Sequence, residues 1–508
     1  MELKVILLGI AVALLGYLIQ VRPRFYNRYF GVDTWRNLAI ADYIRTYKRL
    51  PDQLPKYMLK GPFDYPPFLN IILALLPKKF IENYQGFISP VFDALNNILV
   101  FTVTYILTRD LAVAVFAQLV YMASPLIAIE NTSLNARSLG SLLFTLAFLS
   151  AVFYSINHAP QFFVWAVIFT TLLLFSQKMA AQTLFLLSLF LGLIERNPVY
   201  LVILGISVML AIIFSRGFYI RILTGQLSVL KYFRMIIKNR YAHQVRGVIP
   251  AAKNRDFIDG LKNTIRKYPL FALAASCPLT TMGFLISLWL LIFPRNTFLM
   301  HYPGLSLITH KFVLWIVVLY GLGIITAQLG PFQFLGEGIK YLVYAVLPAS
   351  FIISITVFDL FTHKGNAFLL IFIICLLPLS LAQIILLQNK AVIKDITRSV
   401  TPALRKMMDF LDEQSTQVKL ATIPFSLSDC VAYFTKSDIL SSDSAYVLGN
   451  NPDYLDYYPV LRRPLEEILN KHKINYLLID KNYVSLGELN LTATNVVLEE
   501  ANLCLIKR

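Results

Sequence analysis

Asp33 stands at the head of a stretch whose apolar residues recur at helical spacing: Gly31-Val-Asp-Thr-Trp-Arg36 leads into Trp35, Leu38, Ala41 and Ile44. A carboxylate in that place has two uses. It can cap the helix by accepting a hydrogen bond from an early backbone amide. Alternatively, kept ionised by the helix N-terminus, it can take a proton from an incoming hydroxyl. Sequence position predicts both. Asp42 falls on the polar face of the same helix and Asp52 follows Pro51 in a turn, so both read as solvated. Asp64 comes just before Tyr65-Pro66-Pro67, where the fixed proline φ angles make a stiff corner into Leu69-Asn-Ile-Ile-Leu-Ala-Leu-Leu-Pro77. Asp64 is a turn former on one reading and, with Tyr65, a substrate contact on the other. A later run, Phe334-Leu-Gly-Glu-Gly-Ile-Lys-Tyr341, has two glycines that let backbone approach a ligand, and Lys340 and Tyr341 just beyond them. Such a turn suits a phosphate; equally, Glu337 and Lys340 can compensate each other at a membrane interface.

The elements that carry these residues are built for lipid. Of 508 residues, 57% are hydrophobic and only 15% charged, and the mean hydropathy is +0.63, which excludes an ordinary soluble domain. Helices of about 20 apolar residues satisfy their own backbone hydrogen bonds in hydrocarbon. They are predicted at 3–21, 88–107, 111–129, 138–156, 161–176, 179–194, 198–215, 268–294, 305–328, 339–359 and 366–388, about eleven spans. The first reads as an uncleaved anchor rather than a signal peptide, because no small-residue cleavage pattern follows Val21. After Gln388 the chain turns polar, and strands alternate with helices through Val418–Pro424, Pro464–Lys471, Ile474–Asp480 and the closing pair 495–499 and 502–507. This predicts a small α/β domain. It has no Gly-rich nucleotide-binding motif. Its Ser426-Leu-Ser-Asp429 and Ser441-Ser-Asp-Ser444 runs read as caps and turns before they read as ligands.

The net charge is +17, and its placement matters more than its size. Residues 216–267 carry twelve Lys/Arg against Asp256 and Asp259. Such a loop attracts acidic lipid headgroups, or gathers a phosphate-bearing lipid into a site. Nucleic acid is a poor match, since the cations flank spans and do not form a domain of their own. The four cysteines lack metal-site spacing. Cys277 and Cys375 sit in predicted spans as small apolar residues, and Cys430 and Cys504 can pair only in an oxidising compartment. Asn131-Thr-Ser133 and Asn490-Leu-Thr492 are sequons that matter only where glycosylation occurs.

The first span, the early acid of a long loop, the amphipathic helix and the Tyr-Pro-Pro corner together resemble the polytopic glycosyltransferases of the GT-C superfamily, which include the dolichyl- and undecaprenyl-phosphate-sugar-dependent mannosyl- and aminoarabinose-transferases. The resemblance implies a GT-C-like transmembrane domain over 1–388 with external juxtamembrane loops at 22–87 and 216–267, and an external α/β domain over 389–508. By position, Asp33 corresponds to the family's catalytic carboxylate. Glu130-Asn-Thr-Ser-Leu-Asn-Ala-Arg137 lies where many relatives place a second acidic or arginine-bearing site, although this chain has no DxD there. Glu130 and Arg137 are then substrate ligands, or helix ends facing headgroups. Lys178, in Ser176-Gln-Lys178, stands at the next external turn, as a phosphate ligand or a snorkelling interfacial lysine.

The expected function is an inverting transferase that moves one sugar from a polyprenyl-phosphate carrier to an acceptor hydroxyl of a lipid, glycan or protein on the external or lumenal face. Asp33 is the base, and Arg137, Lys178 and Lys340 stabilise the leaving phosphate. Asp64, Tyr65, Glu130, Glu337 and Tyr341 complete the expected substrate site. No cofactor or nucleic acid is required, and the reading leaves room for a divalent ion at the phosphate. A prokaryotic cell membrane is the preferred setting. The alternatives are a transporter or flippase of an anionic lipid-linked sugar, and a noncatalytic scaffold. One conflict stands within the expectation: the positive-inside rule alone assigns the two most basic loops to the cytosol.

Overall fold

The computed structural model describes residues 3–236, 239, 242–248, 269–293, 305–365, 367–443, 451–491 and 495–508. Much of the basic 216–267 segment, with Asp256 and Asp259, lies outside them, as do Ser444 and Thr492. The first helix, α1 (Leu3–Val21), leads into a loop holding α2 (Asp33–Tyr47) and α3 (Phe68–Leu75). An apolar bundle follows: α4 (Lys78–Thr108), α5 (Leu111–Met122), α6 (Pro125–Glu130), α7 (Arg137–Asn157), α8 (Pro160–Leu174), α9 (Lys178–Ile194), α10 (Val199–Phe214) and α11 (Phe218–Ile236). The helices Pro269–Ser276, Pro278–Ile292, Ser306–Gln328, Val346–Lys364 and Phe368–Gln388 complete it.

These elements follow the apolar segments of the sequence closely, with informative departures. Among the described residues six helices are long and apolar enough to cross a membrane, or eight when each of two bent pairs is one span. The α10–α11 pair turns by 118° and the pair Leu270–Ser276 and Pro278–Ile292 by 113°. Gly217, at φ +84°, supplies the first bend, and Pro278 cannot continue the helix before it at the second. Helix α4 starts at Lys78, ahead of the apolar segment expected at 88, because Lys78-Lys79 and Glu82 form a polar first turn that composition alone does not distinguish from loop. The bundle core is aromatic where α7 meets the later helices: Phe148 packs edge-on to Trp315 with centroids 4.5 Å apart, and Phe144 lies 4.6 Å from Tyr344.

The C-terminal unit is a five-stranded sheet of order β2-β1-β3-β5-β4, with β1 (Lys419–Ile423), β2 (Asp438–Ile439), β3 (Tyr476–Asp480), β4 (Val496–Glu500) and β5 (Leu503–Lys507). β2, β1 and β3 run parallel, and β5 and β4 close the sheet antiparallel. Cys430 and Cys504 are both buried and free. The open edge at β2 is used: Met58 and Leu59 donate backbone hydrogen bonds to the carbonyls of Ile439 and Leu440, and Ile439 donates to that of Lys56. The long first loop thereby covers the open edge of the C-terminal sheet through an isolated bridge between Tyr57 and Ile439.

Candidate functional site

Gly31 sets the entry to α2. Its φ is +121°, and a Cβ there would lie 2.5 Å from Thr34 Oγ1 and 3.1 Å from Ser133 Cβ. Only glycine takes that backbone shape at no cost. The cap position of α2 is Val32, which makes no side-chain cap, so the Asp33 carboxylate is not committed to capping. It faces Arg36 one turn on, Oδ1 to Nη2 3.2 Å, with Arg36 buried and its guanidinium above the Tyr65 ring. The Asp33 side chain retains 41% exposure because it opens into a cavity.

That cavity, of about 280 Å³, is lined by Asp33, Arg36, Tyr65, Arg137, Lys178, Glu337 and Lys340 among others. Asp64, Glu130 and Tyr341 are not among its lining residues. Burial pushes the Asp33 carboxyl up, but the charges of Arg36, Arg137 and Lys340 outweigh burial and hold it below the usual carboxylate range. Each of the three expected phosphate-binding cations carries an acidic partner: Arg137 pairs with Glu130, Lys340 with Glu337 at 3.2 Å, and Lys178 with Asp64 at 3.2 Å. The Asp64 carboxyl is raised by burial, with Lys178 opposing the shift.

Three elements meet around these pairs. Gln177 caps α9 by accepting from Ala180 N and also accepts from Tyr344 Oη. Gln182 donates to Leu335 O and to Tyr341 Oη, each at 2.7 Å, and Gln226 of α11 donates to Gln182 Oε1 at 2.9 Å. Tyr341 is therefore fully buried and binds the 335–341 turn to α9. The turn's helix, Ile339–Leu342, is too short to present a phosphate-binding N-terminus of its own.

Asp443, which the sequence placed in a polar run read first as a turn, belongs to the site. It reaches the same cavity from the C-terminal unit. Its backbone amide donates to Asp429 Oδ1, and Asp429 also accepts from Tyr57 Oη and Ser442 Oγ, each at 2.7 Å. Burial, then the nearby carboxylates of Asp429 and Asp33, hold the Asp443 carboxyl well above the usual range. The only sequence signal was the polar run 441–444, which reads as a turn before it reads as a ligand. Among the described residues no three of His, Cys, Asp and Glu gather to hold one metal ion, and the groups that most affect Asp33 are cations.

No family model and no curated protein matches this sequence. Solved structures do match. The archaeal oligosaccharyltransferase AglB from Archaeoglobus fulgidus, in complex with an inhibitory peptide and a dolichol-phosphate, superposes with a TM-score of 0.57 at 13% identity, over 93% of this chain and 69% of that one. The Archaeoglobus fulgidus oligosaccharyltransferase in complex with Zn and sulfate gives 0.55 at 13% identity, over 94% and 70%. ArnT from Cupriavidus metallidurans bound to undecaprenyl phosphate gives 0.44 at 12% identity, over 100% and 98%. At these identities the likeness is one of fold: the chain shares the fold of the archaeal oligosaccharyltransferase.

Proposed function

We propose that this protein is a GT-C glycosyltransferase that moves a sugar from a polyprenyl-phosphate carrier to an acceptor hydroxyl, with inversion, at the external face of the membrane. One observation carries the reading: an ionised carboxylate, Asp33, opens into a cavity ringed by Arg36, Arg137, Lys178 and Lys340. The dolichol-phosphate and peptide bound to the neighbour of the same fold support it.

In the proposed reaction the acceptor oxygen attacks the anomeric carbon as the bond from that carbon to the phosphate oxygen breaks. The hydroxyl proton passes to Asp33, and the carrier departs as a phosphate anion beside Arg137 and Lys340. Direct displacement inverts the centre and needs one base but no covalent nucleophile. The phosphate, already a weak base, needs charge stabilisation more than a proton. No step requires a metal. The carrier's tail approaches from the bilayer between the helices.

Incubating the purified protein with a panel of polyprenyl-phosphate sugars and acceptors tests this. The wild type should consume a carrier, and Asp33→Asn should lower turnover by roughly 10²- to 10⁴-fold while the carrier still binds. Turnover that survives the substitution removes Asp33 from the chemistry. Carrier movement across vesicles without consumption favours transport.

A further inference from the structure

Helix α11 has two faces of different character. The inner face is committed to the bundle: Gly225 lies against the Asp64 carboxylate, Gln226 bonds Gln182, and Val229, Leu230 and Phe233 line the main cavity. The outer face has no such commitment. Ile220, Leu223 and Leu227 recur along it at helical spacing, all exposed, Leu227 by 66%. They continue the exposed Ile213 and Phe214 at the end of α10, an apolar surface that the bilayer covers.

Direction and charge say what meets the outer face. The 118° bend turns α11 across the axis of α10 instead of extending it, the attitude of a helix that lies in the membrane interface. Past the apolar stripe the same face becomes cationic, with Lys231 and Arg234 both exposed and one turn apart. Arg221, on the flank, is directed to Asp52 at 3.8 Å, whereas Lys231 and Arg234 form no ion pair with any described residue. The sequence supplies no local counter-charge either, since no acidic residue occurs between Glu195 and Asp256. Cations without a protein partner, beside an apolar stripe on an interfacial helix, match a lipid that carries a negative headgroup above its acyl chains.

We propose that the outer face of α11 is a docking surface for acidic phospholipid of the bilayer, with Ile220, Leu223 and Leu227 among the acyl chains and Lys231 and Arg234 on the headgroup phosphates. Bilayer phospholipid is the occupant, and not the carrier, because the two sit on opposite sides of one helix. The carrier phosphate of the proposed reaction belongs beside Arg137 and Lys340, and neither Lys231 nor Arg234 is among the residues lining that cavity. The surface is also continuous with the lipid-covered end of α10. It stands whether or not the cavity transfers a sugar.

The test uses the full-length protein in lipid nanodiscs with one fluorescent reporter, Leu227→Cys in a Cys375→Ser background, since the other three cysteines are buried. Phospholipids brominated in the acyl chain quench such a reporter on contact. Brominated phosphatidylglycerol and brominated phosphatidylcholine are compared at the same mole fraction, in discs of one overall headgroup composition. Both should quench, and the phosphatidylglycerol should be enriched at the reporter by roughly 5-fold, the worth of one surface cation. Lys231→Gln with Arg234→Gln should bring the two lipids to parity and leave quenching by phosphatidylcholine unchanged, which shows α11 still in place; the charge-preserving Lys231→Arg should keep the preference. An unquenched reporter, as a covering protein segment would give, overturns the surface, and so does equal quenching by the two lipids without the glutamine changes, or a preference that survives them. Loss of the preference on adding polyprenyl phosphate would hand the cations to the carrier and overturn it as well.

Discussion

At the scale of single residues, what distinguishes Asp33 from an ordinary surface acid is the company of three cations. A general base works only when ionised, and here Arg36, Arg137 and Lys340 outweigh burial to keep the carboxyl below its usual range. The sign follows directly. The kcat/KM of the free enzyme should stay flat as the medium is acidified from neutrality and fall only when pH drops through the depressed Asp33 value. Lys340→Met should move that acid limb to higher pH; a pH–rate profile checks it, and an unmoved limb dissociates Lys340 from Asp33. The carboxylate's contribution to stability has the same direction, being present above the unfolded-state pKa and lost as pH falls through the folded one. The sequence offered Asp33 as cap or base, and periodicity has no means of choosing, since helix starts are uncertain by a residue or two. The structure puts Val32 in the cap position, which leaves the Asp33 carboxylate outside the cap. Asp443 was less legible still, because its role depends on a fold bringing residue 443 to residue 33.

At the scale of elements, glycines let helices come close enough to hold the charge pairs. Gly225 of α11 is one of them: a Cβ there would lie 2.0 Å from Asp64 Oδ2. Gly225→Ala should therefore displace the Asp64 carboxylate from Lys178 and lower stability by about 1–3 kcal/mol, the usual cost of overpacking. A fall in the apparent melting temperature in detergent, with a loss of transfer, would register it. An unchanged melting temperature would mean that α11 gives way freely. Lys178→Met tests the same pair from the other side by leaving Asp64 buried without its cation, and it should be the more destabilising change. Apolar periodicity made the helices themselves legible. The 118° and 113° bends were not, because a proline or glycine signals a break without giving its angle, which is set by the packing of neighbours.

At the scale of the whole molecule, the arrangement bears on the conflict left by the charge distribution. The described part of the basic segment lies beside the first loop and the C-terminal unit. Arg221 approaches Asp52 at 3.8 Å, Gln226 bonds Gln182, the ring of Tyr232 meets that of Tyr454, and Gln244 donates to Tyr457 O and accepts from Phe425 N. All of these regions pack against one another, and the proposed reading puts them on one side of the membrane; the question is which side. The positive-inside rule favours the cytosol; a site that meets lipid-linked sugars on the external face requires the reverse, with the cations drawn there by phosphate chemistry. Exposed positions on each side give a direct answer. Of the four free cysteines only Cys375 is exposed, so in a Cys375→Ser background single reporters at Lys60, Glu499 and His158, all exposed, can be treated with an impermeant maleimide on intact cells. Lys60→Cys and Glu499→Cys should label without lysis, whereas His158→Cys, in the turn between α7 and α8, should label only after it. The opposite pattern would invert the protein in the membrane, move Asp33 to the cytosolic face, and require a carrier whose sugar is presented there.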